Sequence, residues 1–296
     1  MPARRPSAAT MADMTRQDDP GAVLCAFQSA ALEAAALVRG AFGGEREHVL
    51  KADFSPVTEA DLAAETLIKA RLAEAFPDLP VVAEEAVYAG DVPAHLGRRF
   101  VLVDPIDGTR EFIGGIGDFT VNIALIEDGR PVAGVVVAPA YGEIFVGSAA
   151  GAFKGRVGSD GRSGLLHTIE TRKALDHPIV LVSRSRAQTP DVAAFLMRYR
   201  TAEVVPVGSS LKFCRIAEGA ADLYPCFGRT MEWDTAAGQA VLEAAGGTVR
   251  TLGHAPLLYE KRGRAGEADF ANPYFVASGV WPLPSPPGPP EASPER

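Results

Sequence analysis

Apolar and polar positions alternate along the chain in two rhythms. From Gly21 to Arg39 the apolar residues Val23, Phe27, Ala30, Leu37 and Val38 fit a helix, opened by Asp19-Pro20 and stopped by Gly43-Gly44. A second helix is predicted to start at Thr58 and to run through Leu62, Glu65, Leu67 and Leu72 to about Phe76, before Pro77. Thr58 and Asp61 read as an acidic capping box at its start. Short apolar runs follow, bounded by turn residues. Val81 to Ala83, Val101 to Val103, Phe119 to Glu127, Val132 to Ala138, Ile144 to Val146 and Gly151 to Phe153 all read as strands, with Glu127-Asp128-Gly129-Arg130 as a hairpin turn.

The pattern then changes to strand and helix in turn. Strands are predicted at Ile179 to Ser183, Val204 to Val207, Ala221 to Tyr224, Thr248 to Leu252 and Tyr274 to Ala277. Helices are predicted at Pro190 to Tyr199, Ser210 to Glu218 and Thr235 to Ala245. Such alternation predicts a layered α/β or α+β architecture. The glycine- and serine-rich stretch from Gly155 to Gly164 is the best internal boundary. It divides an N-terminal α+β half (21–154) from a C-terminal α/β half (165–280), with a disordered lead-in (1–20) and a disordered proline-rich tail (281–296).

Composition narrows the function. With 296 residues, 47% of them hydrophobic, the chain can build one large or two medium cores. A net charge of -8 argues against nucleic acid as a partner, but not against a small anion held through a metal. Cys25, Cys214 and Cys226 are scattered and form no C-x-x-C pair, which fits a reducing cytoplasm. No apolar run reads as a transmembrane segment, and the N-terminus lacks a signal-peptide core. Oligomeric state leaves no mark in the sequence.

The chemistry concentrates at V-L-V-D-P-I-D-G-T-R-E-F, Val101 to Phe112. Asp104 and Asp107 stand three residues apart where Pro105 and Gly108 turn the chain. Two carboxylates held close favour a cation between them, and oxygen-only ligands select a hard one such as Mg²⁺. Gly108 and a helix start at Thr109 would seat a phosphate. An ordinary strand-to-loop turn explains the same residues about as well. The wider pattern favours chemistry: Asp53, Glu84, Asp104 with Asp107, and Asp234 all sit at strand ends or helix starts. If they converge, two Mg²⁺ ions would clamp a phosphate, with Thr109 relaying a proton from water and Asp53 orienting Thr109. No histidine or cysteine lies in these motifs, so direct attack by water is expected rather than a covalent phosphoenzyme.

D-P-I-D-G-T (Asp104 to Thr109), W-D-T-A-A-G (Trp233 to Gly238) and the upstream Glu84-Glu85 pair together resemble the inositol monophosphatase superfamily of Mg²⁺-dependent, lithium-sensitive phosphatases. Asp53 to Thr58, Asp107 to Phe112, Phe119 to Ile126, Gly208 to Cys214 and Glu232 to Val241 look most like its bacterial 3′(2′),5′-bisphosphate nucleotidase branch. The resemblance implies an αβαβα sandwich that hydrolyses the 3′-phosphate of adenosine 3′,5′-bisphosphate to give AMP, clearing a by-product of sulfate assimilation. It implies that Glu84, Asp104 and the carbonyl of Ile106 bind one metal, and that Asp104, Asp107 and Asp234 bind a second, with two or three ions per site. Asp53 and Thr109 would activate water, the amides near Gly108 and Thr109 would receive the phosphate, and Ser209 and Lys212 would contact the nucleotide. Some relatives lie on the cytoplasmic face of the inner membrane, so a peripheral association is kept beside a cytoplasmic location. Two departures bear on substrate: Cys226 stands where relatives often carry arginine, and Arg186 where they often carry histidine. Arg186 or Arg229 would then compensate. An inositol or sugar phosphatase, and a silent binding protein on the same fold, are the alternatives.

Overall fold

The computed structural model describes residues 19–43, 47–51, 55–173, 177–197 and 203–280. The chain folds as alternating layers of helix and sheet, αβαβα, as expected. The first layer pairs α1 (Pro20–Ala41) with α2 (Glu59–Ala75). The Asp19 carboxylate accepts the Gly21 amide at 3.0 Å and Pro20 needs no donor there, so α1 starts where the sequence placed it. A small hairpin, β1 (His48–Leu50) with β2 (Pro56–Thr58), leads into α2. At 22 residues and by its mean hydropathy α1 is long and apolar enough to cross a bilayer, contrary to the sequence expectation of no such run. Its apolar residues serve packing: Ala30, Ala31 and Ala34 are fully buried with Val23, Phe27 and Val38 against the sheet.

The second layer is a seven-stranded sheet in the order β3 (Val81–Ala83), β4 (Arg99–Asp107), β5 (Thr120–Glu127), β6 (Arg130–Ala138), β7 (Glu143–Ser148), β8 (Gly151–Arg156) and β9 (His167–Ile169). Only β3 and β4 pair in parallel. Because β9 belongs to it, this sheet continues past the glycine-rich stretch. Short helices α3 (Glu84–Tyr88) and α4 (Thr109–Ile113) follow β3 and β4. The fourth layer is a five-stranded sheet in the order β11 (Glu203–Pro206), β10 (Ile179–Val182), β12 (Leu223–Cys226), β14 (Phe275–Ser278) and β13 (Thr248–Thr251). Between the two sheets lie α6 (Leu211–Ala217) and α7 (Glu232–Ala244); α5 (Pro190–Leu196) covers the outer face of the second. The predicted C-terminal end of α5 near Tyr199, and both segments expected to be disordered apart from Asp19 and Pro20, lie outside the described residues.

The third layer sits close on the first sheet because glycines clear its path. A Cβ on Gly147 of β7 would come within 2.5 Å of the Val241 Cα, and one on Gly134 of β6 within 2.6 Å of the Ala237 carbonyl oxygen. Both clashes are with backbone, so no side chain can swing aside. This approach fixes the depth of the first turn of α7, where Asp234 lies. Gly147→Ala is therefore expected to cost about 2–3 kcal/mol, seen as a lower midpoint in thermal or urea unfolding.

Three local differences from the sequence reading matter for function. Strand β4 does not stop at Val103; it runs through Asp107 with a bulge. Asp104 pairs with Asn122 and Asp107 with Thr120, so three steps on one strand match two on the other. Residues three apart on a regular strand face opposite sides, and the extra residue brings both carboxylates to the same side. Glu84-Glu85, read only as the acids that follow a strand, opens a helix, because the buried Glu65 carboxylate takes the free amides of Glu85 (2.7 Å) and Ala86 (2.8 Å). Helix α7 begins at Glu232 rather than Thr235: Asp234 is its third residue and accepts the Met231 amide at 2.8 Å, as a capping-box acid does.

Candidate active site

The strand ends and helix starts converge at the edge of the first sheet. Oxygens of Glu84, Asp104 and Asp234 lie within 4.8 Å of one another. Asp104 is 1% exposed, and among the described residues no donor reaches either of its carboxylate oxygens. Burial first, and then the charges of Glu84, Asp107 and Asp234, push its carboxyl well above the ordinary range. Burial likewise raises Asp234, with Asp107 and Glu84 adding to it. Without a cation such a group can persist only by sharing protons. Carboxylate oxygens crowded together, those of Asp104 without a donor, fit a hard divalent cation.

Asp107 lies beside this group. Burial pushes it up to about 7, against the pull of the Lys212 ammonium and of the Ser210 amide, which donates to its Oδ2. The Ile106 carbonyl accepts the Thr109 hydroxyl at 3.0 Å. Gly108 has φ +92, and a Cβ there would meet the Asp118 carbonyl oxygen at 2.9 Å, so only glycine fits the turn. Lys51, at the end of the β1–β2 hairpin's first arm, places its ammonium 2.7 Å from Glu84 and 2.6 Å from Glu85. Burial alone would lower that ammonium, but the two carboxylates outweigh it and hold it above an ordinary lysine. Burial carries Glu85 up to about 7.

Asp53 lies outside the described residues, so its expected pairing with Thr109 is not seen. Among the described residues, the carboxylate that meets Thr109 is Asp61, whose Oδ1 is 3.3 Å from the hydroxyl. Its other oxygen, Oδ2, accepts the Thr58 amide at 2.8 Å and the Thr58 hydroxyl at 2.5 Å. Desolvation raises Asp61 despite these bonds, which makes it the more basic. One acid both caps α2 and faces the site. The capping-box pattern found Asp61 in the sequence; nothing in that pattern signalled its second oxygen.

A pocket of about 340 Å³ opens from the acidic cluster toward the second sheet. Arg110, Arg186, Arg229 and Lys212 line it, with Glu84, Asp107, Gly108, Thr109, Ser209 and Asp234 at its inner end. Lys212 is buried; its ammonium donates to the Ser209 carbonyl at 2.6 Å and lies 4.7 Å above the Tyr224 ring. Ser209 adopts φ +53, and its hydroxyl oxygen accepts the Leu211 amide at 3.2 Å. Arg186 sits in a 3₁₀ turn over Arg184–Arg186 and lies against Gly228, where an added Cβ would come 3.2 Å from its Nε. Cys226 also lines the pocket, its thiol 3.8 Å from the Gly228 carbonyl oxygen.

A layered fold with buried carboxylates around a glycine turn, beside a cationic pocket, defines a metal-assisted phosphate-handling protein. The chain belongs to the inositol monophosphatase family, whose model matches residues 19–279. It is 44% identical over 230 residues to the 3′(2′),5′-bisphosphate nucleotidase CysQ of Shigella flexneri, covering 78% of this chain and 88% of that protein. The crystal structure of CysQ from Bacteroides thetaiotaomicron, described as a bacterial member of this family, is 35% identical and superposes with a TM-score of 0.71 over 88% of this chain and 97% of that one. An inositol monophosphatase from Zymomonas mobilis is 28% identical, with a TM-score of 0.66 over 86% and 92% of the two chains.

Proposed function

We propose that the protein is a Mg²⁺-dependent phosphomonoesterase of the cytoplasm that hydrolyses the 3′-phosphate of adenosine 3′,5′-bisphosphate to AMP and inorganic phosphate. The observation that carries this reading is Asp104: among the described residues no donor reaches either of its oxygens, and it is flanked by Glu84 and Asp234, which line a pocket shared with Arg110, Arg186 and Arg229. Glu84, Asp104, Asp107, Asp234 and the Ile106 carbonyl would hold Mg²⁺, which supplies Lewis-acid stabilisation of charge on the phosphate oxygens.

The chain's own groups do the rest. With the Ile106 carbonyl given over to the cation, the Thr109 hydroxyl, which lies 3.0 Å from that carbonyl and 3.3 Å from Asp61 Oδ1, would turn its proton to Asp61 and accept from water. As water attacks phosphorus, its proton passes to Thr109 Oγ1 while the Thr109 proton passes to Asp61 Oδ1; the bond from phosphorus to the 3′-oxygen breaks, and that oxygen takes a proton from solvent water to leave as the 3′-hydroxyl of AMP. The Gly108 turn and the Thr109 amide at the start of α4 orient the scissile phosphate. The 5′-phosphate, at the far side of the sugar, would lie toward Arg186 and Lys212. Charge there favours a substrate with two phosphates over an inositol ester.

Phosphate release from adenosine 3′,5′-bisphosphate, its 5′-sulfated analogue and inositol 1-phosphate, each with Mg²⁺, with Mg²⁺ plus Li⁺, and with a chelator, tests the proposal. Release from the bisphosphate is expected to be fastest, to stop with the chelator and to fall with Li⁺. A clear preference for inositol 1-phosphate would overturn the substrate, and release that persists in chelator would overturn the metal.

A further inference from the structure

We infer that Asp118 is a positioning residue for the substrate's second phosphate, fastening two otherwise separate walls of the pocket to the turn that carries Asp107. The inference rests on the bisphosphate reading above.

Asp118 precedes β5 and is 3% exposed. Its Oδ2 accepts the Arg184 Nε at 2.7 Å, the Arg184 Nη2 at 2.5 Å and the Gly208 amide at 3.0 Å, and its Oδ1 accepts the Tyr141 hydroxyl at 2.5 Å. Its backbone is wedged between two glycines: a Cβ on Gly108 would come 2.9 Å from the Asp118 carbonyl oxygen, and one on Gly208 2.6 Å from the same atom. Gly108 belongs to the catalytic turn. Gly208 opens the segment that carries Ser209, Ser210 and Lys212. Arg184 opens the 3₁₀ turn that carries Arg186. One carboxylate thus ties the Arg186 wall and the Lys212 wall to the first sheet. The Lys212 wall has a second tie, since the Ser210 amide donates to Asp107 and the Ser210 hydroxyl donates to Asn122 at 2.7 Å. Among the described residues, the only ion-pair partner of Arg184 is Asp118.

Only a carboxylate can accept all these donors. An asparagine would turn an amide donor toward Arg184 or toward Tyr141, so the Arg186 turn would lose its anchor while Asp107 kept the Ser210 amide and Asp234 the Met231 amide. The consequence is selective. Binding at the distal end of the pocket should loosen, and chemistry at the scissile end should not.

The test compares adenosine 3′,5′-bisphosphate with adenosine 3′-monophosphate, which shares the nucleoside and scissile ester but lacks the second phosphate. In Asp118→Asn, kcat/KM for the bisphosphate relative to the monophosphate is expected to fall by about tenfold and to be carried by KM, the effect of removing one charge-assisted hydrogen bond. Tyr141→Phe, which removes one donor and no charge, is expected to move the same ratio in the same direction by less. AMP binding, measured by calorimetry on the Mg²⁺-loaded protein, should weaken in step. Should Asp118→Asn not fold, Arg184→Gln carries the test, since Arg184 is 38% exposed in its side chain. Equal losses on both substrates would mean a general scaffold role and overturn the inference; so would an unchanged ratio. Failure of the unaltered enzyme to cleave either adenosine ester would instead sink the proposed substrate.

Discussion

Asp104→Asn is expected to give a protein that is more stable without metal and nearly inactive with it. Three carboxylates within 4.8 Å, Asp104 buried and Glu84 and Asp234 half-buried, repel one another, and among the described residues Asp104 has no donor to offset its charge. Asparagine fills the same space, removes one charge, and presents an amide donor to Glu84 and Asp234. The metal-free protein should therefore gain about 1–3 kcal/mol, or several degrees in Tm. The same change withdraws an anionic oxygen from the cation site. Turnover is expected to fall by about a thousandfold or more. Thermal unfolding with and without Mg²⁺ separates the two effects. The unaltered enzyme should be stabilised by Mg²⁺ because the ion binds the folded state alone. The variant should start higher and gain little. A variant that melts lower without metal would show that Asp104 is held by something other than a cation. The trade is the one expected where a site keeps charges together against their repulsion.

What the sequence showed of this site depends on what each residue does locally. Asp104 and Asp107 were legible because a proline and a glycine mark the turn between them. Their convergence was legible only in outcome: the sequence suggested a strand that stops, whereas β4 continues and a bulge turns the second acid. Asp234 stood out beside Trp233, yet α7 starts three residues earlier than its apolar pattern suggests, because Asp234 itself supplies the cap. The order of most strands followed from apolar runs, while β1, β2 and β9, three residues each and little buried apart from β2, left almost no periodic signal. Lys51 and Glu65 were hidden for another reason. Each acts on a backbone or side chain about twenty or more positions away, Glu65 on the amides of Glu85 and Ala86 and Lys51 on the Glu84-Glu85 pair. Spacing arguments reach three or four residues and cannot see such pairs.

The choice between Asp53 and Asp61 as the partner of Thr109 has the second large consequence. Asp61→Asn is expected to lower kcat by about 10²–10⁴-fold, the range for losing a general base, with KM changed little. The reason lies in the two oxygens of Asp61. One must go on accepting from the Thr58 amide and hydroxyl to cap α2, and the single oxygen of asparagine will do that. The amide nitrogen is then left facing Thr109 Oγ1, where it donates. Thr109 can no longer pass its proton that way, so its oxygen cannot take one from water. Because the cap survives, stability should change by about 1 kcal/mol or less. Thr109→Ser keeps the hydroxyl and is expected to stay within roughly tenfold of the unaltered rate, whereas Thr109→Val should match Asp61→Asn. The double variant Asp61→Asn with Thr109→Val should be no slower than either alone, since the two act as one relay. Asp53→Asn supplies the contrast and is expected to retain most of the turnover. If Asp53→Asn is as inactive as Thr109→Val while Asp61→Asn stays active, the relay runs through Asp53, and Asp61 is reduced to a helix cap.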